Sequence, residues 1–344
     1  MKNVLVLGAG GFIGSHLVES LINHDGYHIT AVDITSEKIE TENPGLNFHF
    51  LDLTKDRTSF SELIQQNDVI INLIAIANPG IYVQDPLGTF KLDFMENLFI
   101  VEECVRLKKR LIQFSTSEVY GKSSSIFQPD IPDEFVEDSS HFILGPVNKH
   151  RWIYSCSKQL LERVIHAYGV QKDLDYTIVR PFNYIGPRID FLPSHEEGVP
   201  RVFSFFMDAL MYNKTMYLVN GGDQKRCYTD IRDATQAHIR IIDNPDFRAS
   251  KQIFNVGHRS NEISIKDLAL KMREIWKENY GNSLPEMKTI DGEEFYGQGY
   301  DDSDRRIPNS DKVESLGWKP VYTVTECLTH SMEYYMNKYS LVTS

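Results

Sequence analysis

The stretch VLVLGAGGFIGSHLVESL, residues 4–21, decides the fold. Four apolar residues run into a turn with glycines at 8, 11 and 14, and an amphipathic segment follows. Gly8 permits the tight turn, Gly11 lets the backbone approach a pyrophosphate, and Gly14 lets helix and strand pack closely. The helix that opens at Phe12 and Ile13 then offers free amides and the positive end of its dipole to the phosphates. The next apolar run ends in AVDI, which puts Asp33 about twenty residues beyond the turn, where an acidic side chain binds the adenosine ribose hydroxyls. The same carboxylate repels a 2′-phosphate, so the pattern reads as a site for NAD rather than NADP.

Outward from this unit, short apolar runs alternate with longer amphipathic ones. NVLVLG, HITAVD, NFHFLD, DVIINLIAI, RLIQFST and DYTIVRPFN read as strands buried on both faces, as in a parallel sheet. FIGSHLVESLIN, ENLFIVEECVRLKK and SKQLLERVIHAYGV carry apolar residues at helical spacing. Such alternation predicts an α/β fold, a Rossmann-type doubly wound parallel sheet with right-handed crossovers. After Asn183 the alternation fades. A Pro/Gly-rich loop, a helix over 202–212, strand-like MYLVNG and IFNVGH, and a helix over 265–279 predict a smaller C-terminal α/β substrate domain. The expected division is residues 1–182 and 183–344.

The 344-residue chain is 41% hydrophobic and carries a formal charge of −12. That charge argues against a general affinity for nucleic acid or acidic membranes, and an anionic ligand would need a local cluster of arginine or lysine. No stretch is long and apolar enough for a membrane span, and the glycine-broken N-terminus does not read as a signal peptide. Cys104, Cys156, Cys227 and Cys327 show no ligand spacing, so no metal is expected, and reduced thiols point to the cytoplasm.

FSTSEVYG, residues 114–121, ends an apolar run with Thr116, Ser117 and Glu118, and YSCSK follows at 154–158. Tyr154 and Lys158 are four apart and share one face of a helix. A lysine ammonium, with a positive nicotinamide nearby, would favour phenolate and move the phenol from its ordinary value near 10 towards operating pH. Phenolate can then remove an alcohol proton while hydride leaves for NAD, and Thr116 can orient the same hydroxyl. A charged surface loop would explain YGQGYDDSDRRIP, residues 296–308, on composition alone.

The three-residue spacing of the glycines resembles the extended short-chain dehydrogenase/reductase superfamily. By that resemblance Asp52, with Leu53, contacts adenine, Ala75 lines the cofactor cleft and Asn97 supports the active site. STSEVYG, GPVNKHRWIYSCSKQLLERVIHAYG, RPFNYIGPR, GGDQKRCYTDIRD and YGQGYDDSDRRIP together resemble UDP-glucuronic acid decarboxylases, as in the decarboxylase half of the bifunctional polymyxin-resistance enzyme. They equally resemble plant UDP-apiose/UDP-xylose synthases. No counterpart of the bifunctional enzyme's formyltransferase domain is expected. The resemblance makes Glu118 the acid/base, Arg306 the late arginine of carboxylate binding and proton donation, and Ser117 the serine between. It makes Ala77, Tyr82, Arg151, Asn183, Arg201, Tyr217, Gln224, Lys225, Arg226 and Tyr300 contacts of a UDP-sugar substrate. Arg151, Arg201, Lys225, Arg226 and Arg306 are the local cations that an anionic sugar nucleotide needs.

The implied reaction is oxidation of UDP-glucuronate at C4, loss of carbon dioxide from the resulting β-keto acid, and protonation at C5. Its product is UDP-4-ketopentose or, if the hydride returns, UDP-xylose. The plant synthases place cysteines where this chain has Ala77 and Ser117, which disfavours apiose formation. A nucleotide-sugar 4-epimerase or dehydratase and a non-enzymatic NAD sensor are the other readings. Helices over 97–108 and 154–170 resemble the superfamily's dimer interface and predict a homodimer. The segment 122–150 is a candidate lid.

Overall fold

The computed structural model describes residues 1–40, 46–123, 134–198 and 200–340, so ten residues of the candidate lid, 124–133, lie outside the described ones. The first five strands are β1 (Lys2–Leu7), β2 (Tyr27–Asp33), β3 (Asn47–Phe50), β4 (Val69–Asn72) and β5 (Arg110–Phe114). With Tyr176–Pro181 and Gln252–Val256 they form one seven-stranded parallel sheet. Its order is β3, β2, β1, β4, β5, then Tyr176–Pro181 and Gln252–Val256.

Alternate residues of each strand serve different cores. Leu5, Leu7, Ile70, Leu111 and Ile178 form one apolar cluster beneath α2 (Arg57–Gln66), α5 (Asn97–Leu107) and α6 (Ile153–Gln171). Val4, Val6, Ile71, Ile112 and Val179 join the other, with α1 (Phe12–Ile22), α7 (Val202–Tyr212), α8 (Ile231–Asp243) and α9 (Ile265–Asn279). Both faces are covered, which is why the strands read as unbroken apolar runs.

The strand in IFNVGH departs from the expected division. It pairs with Tyr176–Pro181 at the edge of the main sheet, not within the C-terminal part, and α8 packs on α1. Conversely, Glu134–Phe135 from the first half joins a four-stranded sheet with Arg305–Pro308, Lys225–Cys227 and Glu262–Ser264. Hydrogen bonding over long sequence separations, which local patterns do not carry, places both.

Local chemistry sets the element ends. Asp56, Asp230 and Ser264 cap α2, α8 and α9 by accepting from Ser59, Arg232 and Asp267 amides at 2.9–3.0 Å, whereas α1 starts at Gly11 with no side-chain cap. β4 stops at Asn72, short of the strand expected through Ile76, because the Asn72 side chain turns the chain. Its amide donates to Asn97 Oδ1 and Gln113 Oε1 at 2.6 and 3.0 Å, and its Oδ1 accepts from the Ile74 amide. Before α5, α3 (Pro79–Gln84) and α4 (Pro86–Phe90) lead into a π turn, Lys91–Glu96.

Candidate active site

The glycine turn lies at the carboxyl ends of β1 and β2. Gly8 has φ +82°, and a Cβ on Gly14 would stand 2.1 Å from the Gly8 carbonyl oxygen. Crowding at the second position falls on Gly10 rather than Gly11: a Cβ on Gly10 would meet the Thr35 carbonyl oxygen at 1.9 Å, and one on Gly11 only Gly8 O at 3.3 Å. Asp33 Oδ2 accepts from the Gly10 amide at 2.8 Å, so the acid anchors the turn. Burial pushes the Asp33 carboxyl up, and the amides of Ile34, Gly10, Thr35 and Gly11 temper the rise. The uncapped amides of α1, a turn with no room for side chains and a carboxylate at the next strand end fit a dinucleotide.

The neighbouring positions differ in role. Asp52 accepts from the Thr54 amide at 2.9 Å and pairs with Lys55, while Leu53 is buried in the core. Asn97 donates to the Ile74 and Leu92 carbonyls at 3.2 and 2.7 Å, pinning the segment that carries Ala75 from behind.

Tyr154 and Lys158 lie one turn apart on α6, both buried. The Tyr154 ring stacks on Tyr82 at 4.5 Å and 7°. Burial pushes the Tyr154 phenol well above its ordinary value, and Asp93 and Glu118 push it further. The largest opposing pulls come from a Thr116 hydrogen bond and the Arg151 guanidinium. Lys158 Nζ lies 6.0 Å from the phenol ring centroid and 3.8 Å from Asp93 Oδ1. Burial holds its ammonium below its ordinary value against the raising effect of Asp93 and Glu162.

Thr116 ends the loop after β5 and caps the turn Ser117–Tyr120, its hydroxyl accepting from the Glu118 amide at 3.1 Å. Arg151 clamps Glu118 with two bonds, Nη1 to Oε2 at 2.5 Å and Nη2 to Oε1 at 2.9 Å. Arg306 Nη1 stands 3.6 Å from the same carboxylate and donates from Nη2 to Asp302 Oδ1 at 3.0 Å. Arg226 donates to Asp302 Oδ2 at 2.8 Å. Three guanidiniums thus surround two carboxylates. Burial alone would raise Glu118, but Arg151 and Arg306 outweigh it and hold the carboxyl below its usual range. Asp302 is likewise held far down, against burial, by Arg226, Arg306 and Arg151. Arg306 is pushed down to about 10 by burial and by Arg226, whereas Arg151 is raised because Glu118 and Asp302 outweigh its burial. The Nε atoms of Arg151 and Arg306 are buried without a hydrogen-bond partner.

These groups line one cavity of about 290 Å³. Its wall brings together Phe12, Ile13, Thr116, Ser117, Glu118, Tyr154 and Arg306. Ala77, Tyr82, Arg151, Asn183, Arg201, Tyr217, Gln224, Arg226 and Tyr300 line it as well. Lys158, buried on α6, does not line it, and among the expected substrate contacts Lys225 is the exception. Strand alternation sends it to the exposed side of Lys225–Cys227 while Arg226 is buried, so it does not join the cluster. Arg201 sits nearer solvent and pairs with Asp190 at 3.4 Å.

Several residues here escaped sequence reasoning. Asp302 lies in the acidic run YDDSDRR, whose composition reads as a solvated loop; only the fold turns it towards three arginines. Tyr296 stacks on Tyr300 at 4.4 Å. Arg180, within RPFN, donates to Glu162 at 2.6 and 3.0 Å and to Tyr120 Oη at 2.6 Å, tying α6 to the turn that carries Glu118. No local signal announces such ties, although a lone arginine in an otherwise apolar strand is a hint.

Comparison with known proteins gives this arrangement a context. A family model described as NAD dependent epimerase/dehydratase family matches residues 4–257. UDP-D-apiose/UDP-D-xylose synthase 1 of Arabidopsis thaliana is 40% identical over 359 residues, covering 98% of this chain and 92% of that protein. The crystal structure of PbgP3 protein from Burkholderia pseudomallei has a TM-score of 0.86 at 35% identity, over 98% of this chain and 96% of that one. UDP-glucuronic acid 4-epimerase from Bacillus cereus, in complex with UDP-glucuronic acid and NAD, has a TM-score of 0.81 over 98% of this chain and 100% of that one. Its identity is 22%, so that likeness speaks for the fold alone. Among the described residues no helix is long and apolar enough to cross a membrane.

Proposed function

The chain belongs to the NAD-dependent epimerase/dehydratase family, an extended short-chain dehydrogenase/reductase, and from that premise we propose that it decarboxylates UDP-glucuronic acid through a 4-keto intermediate. The product is UDP-4-ketopentose or UDP-xylose. One observation carries the reading: three guanidiniums face two carboxylates in the cavity that Tyr154 lines, with two buried Nε donors unpaired. Such a cluster is one negative charge short of neutral, and a substrate carboxylate supplies it.

NAD, when bound, supplies the acceptor for the two electrons taken from C4 and the donor for any return. The glycine turn and the amides of α1 hold its pyrophosphate, and Asp33 holds the adenosine ribose. Tyr154, oriented by Thr116, takes the O4 proton. With a ketone at C4 the carboxylate becomes that of a β-keto acid; the C5–C6 bond breaks, carbon dioxide leaves, and its electron pair flows to O4. Tyr154 then stabilises that oxygen with its proton. Glu118, held ionised, suits orientation and proton acceptance rather than donation. Arg306, the guanidinium whose proton is loosened, is the donor to C5.

The apiose reading draws on the 40% identical plant synthase. Ring contraction by a thiol does not suit this cavity, since none of the four cysteines lines it and Ala77 and Ser117 stand where the synthases are expected to place theirs. A homodimer through α5 and α6 is part of the proposal, in keeping with exposed Leu160 and Val170 on α6; light scattering that finds only monomer at micromolar concentration refutes it.

Purified protein with UDP-glucuronate and NAD tests the reaction. Mass spectrometry is expected to find a nucleotide sugar lighter by carbon dioxide, and absorbance distinguishes accumulating NADH (ketopentose) from none (xylose). An unchanged mass with UDP-galacturonate formed refutes decarboxylation in favour of epimerisation.

A further inference from the structure

Asp93 is a buried carboxylate that the reaction outlined above does not use. It lies in the π turn Lys91–Glu96 with no solvent exposure. Its Oδ1 accepts from the Ile76 amide at 3.1 Å and stands 3.8 Å from Lys158 Nζ, while its Oδ2 is buried with no hydrogen-bond partner. A carboxylate so placed is costly to keep, and π turns inside helices often mark functional sites. Lys158 is 1% exposed and also donates to the Phe114 carbonyl at 3.4 Å. A buried ammonium with no counter-ion tends to lose its proton.

The ionisable groups around Asp93 are few. Lys158 and Tyr154 face it from α6 and Tyr82 from α3. Glu162 faces the Lys158 ammonium, and Glu118 faces Tyr154. The sequence of α4, PLGTF, brings no ionisable side chain. On α5, Glu103 pairs with Arg106, Glu102 accepts from Tyr168 and Cys104 is a buried thiol, while Glu96 of the π turn pairs with Arg57. Burial raises the Asp93 carboxyl to about 7, and Lys158 and the Ile76 amide pull against that rise.

We propose that Asp93 is a positioning residue for the oxidation step: its carboxylate keeps the Lys158 ammonium charged in a site that would otherwise neutralise it, and through that charge sets the pH range in which Tyr154 acts as a base. The proposal rests on the oxidation half of the proposed function and is independent of decarboxylation.

Asp93→Asn preserves the acceptor for Ile76 and removes the charge. Burial then drives Lys158 to the neutral amine, phenolate loses its cation, and the rate profile moves to higher pH. Were Asp93 acting directly on Tyr154, loss of a nearby carboxylate would ease phenolate formation and move the profile to lower pH. The direction separates the two.

The experiment is single-turnover NADH formation from enzyme, NAD and UDP-glucuronate across the neutral and alkaline range. D93N is expected to slow NADH formation about tenfold at neutral pH and to raise the pH of half-maximal rate by about one unit, with the half-saturating sugar concentration unchanged. Asp93→Glu restores most of the rate. In a Lys158→Met background D93N is expected to give no upward shift, because that shift runs through Lys158. Circular dichroism and NAD binding report folding, and Asp93→Ser carries the same test if D93N does not fold. A profile unmoved or moved to lower pH overturns the proposal, as does an upward shift that persists without Lys158. NADH formed without loss of carbon dioxide overturns the decarboxylase reading and leaves this test intact; no NADH from any UDP-sugar overturns both.

Discussion

The dinucleotide turn reaches the charged pocket at Phe12 and Ile13, yet the two are built from different materials. The turn works through backbone: an uncapped helix start, glycines with no room for a Cβ, and Asp33 bonded to the Gly10 amide. Its glycines, its helix start and its acid all lie within residues 4–33. The pocket works through side-chain charge, and Glu118, Arg151, Arg226, Asp302 and Arg306 come from separate segments, the last two from a loop and strand far along the chain. Backbone geometry is encoded locally and admits little substitution. Charge is assembled globally and can be retuned one residue at a time.

The hardest blow to the pocket that spares the turn is Tyr154→Phe. Loss of the proposed general base is expected to lower turnover by about 10²–10⁴-fold while NAD binding is unchanged, as calorimetry alongside rate measurement would check. Arg306→Gln comes next and divides the reaction. NADH formation should survive, but release of labelled carbon dioxide and protonation at C5 should fall by about 10²–10³-fold; equal losses in both would mean that Arg306 serves binding alone.

Gly14→Ala tests the turn from the other side. Its methyl would meet the Gly8 carbonyl oxygen at 2.1 Å, and such overpacking costs about 1–3 kcal/mol. A lower Tm and weaker NAD binding are expected, and an unaltered protein would break the contrast. A smaller effect is the response to acid. Glu118 and Asp302 have depressed values in the folded protein. Their contribution to stability is therefore full above the ordinary carboxylate value near 4 and lost as pH falls through the folded values. Asp302→Asn should flatten the fall of Tm with acidification. Least of all, Lys225→Ala should leave kcat/KM within about twofold, since its side chain is exposed away from the cluster.

The parts that were readable illustrate the same contrast. Helices Val202–Tyr212 and Ile265–Asn279 form where they were expected because apolar periodicity is a local signal. The strand Gln252–Val256 was legible as a strand but not as the edge of the main sheet. Tyr154 and Lys158 were found by their spacing, whereas Asp93 was not, because a π turn alters which residues face inward. Asp302 hid in an acidic run, and no local signal announced the pull of Arg151 on the phenol.

By itself, the sequence determined the doubly wound sheet, the glycine turn and the placing of Tyr154 and Lys158 one turn apart on a helix, because hydrophobic period and glycine spacing act over one or two elements. Only the tertiary structure decided which charges meet, which stay ionised and which lysine is left outside. Coulomb energy in a buried site depends on distance and desolvation, and both are properties of the folded chain rather than of any stretch of it.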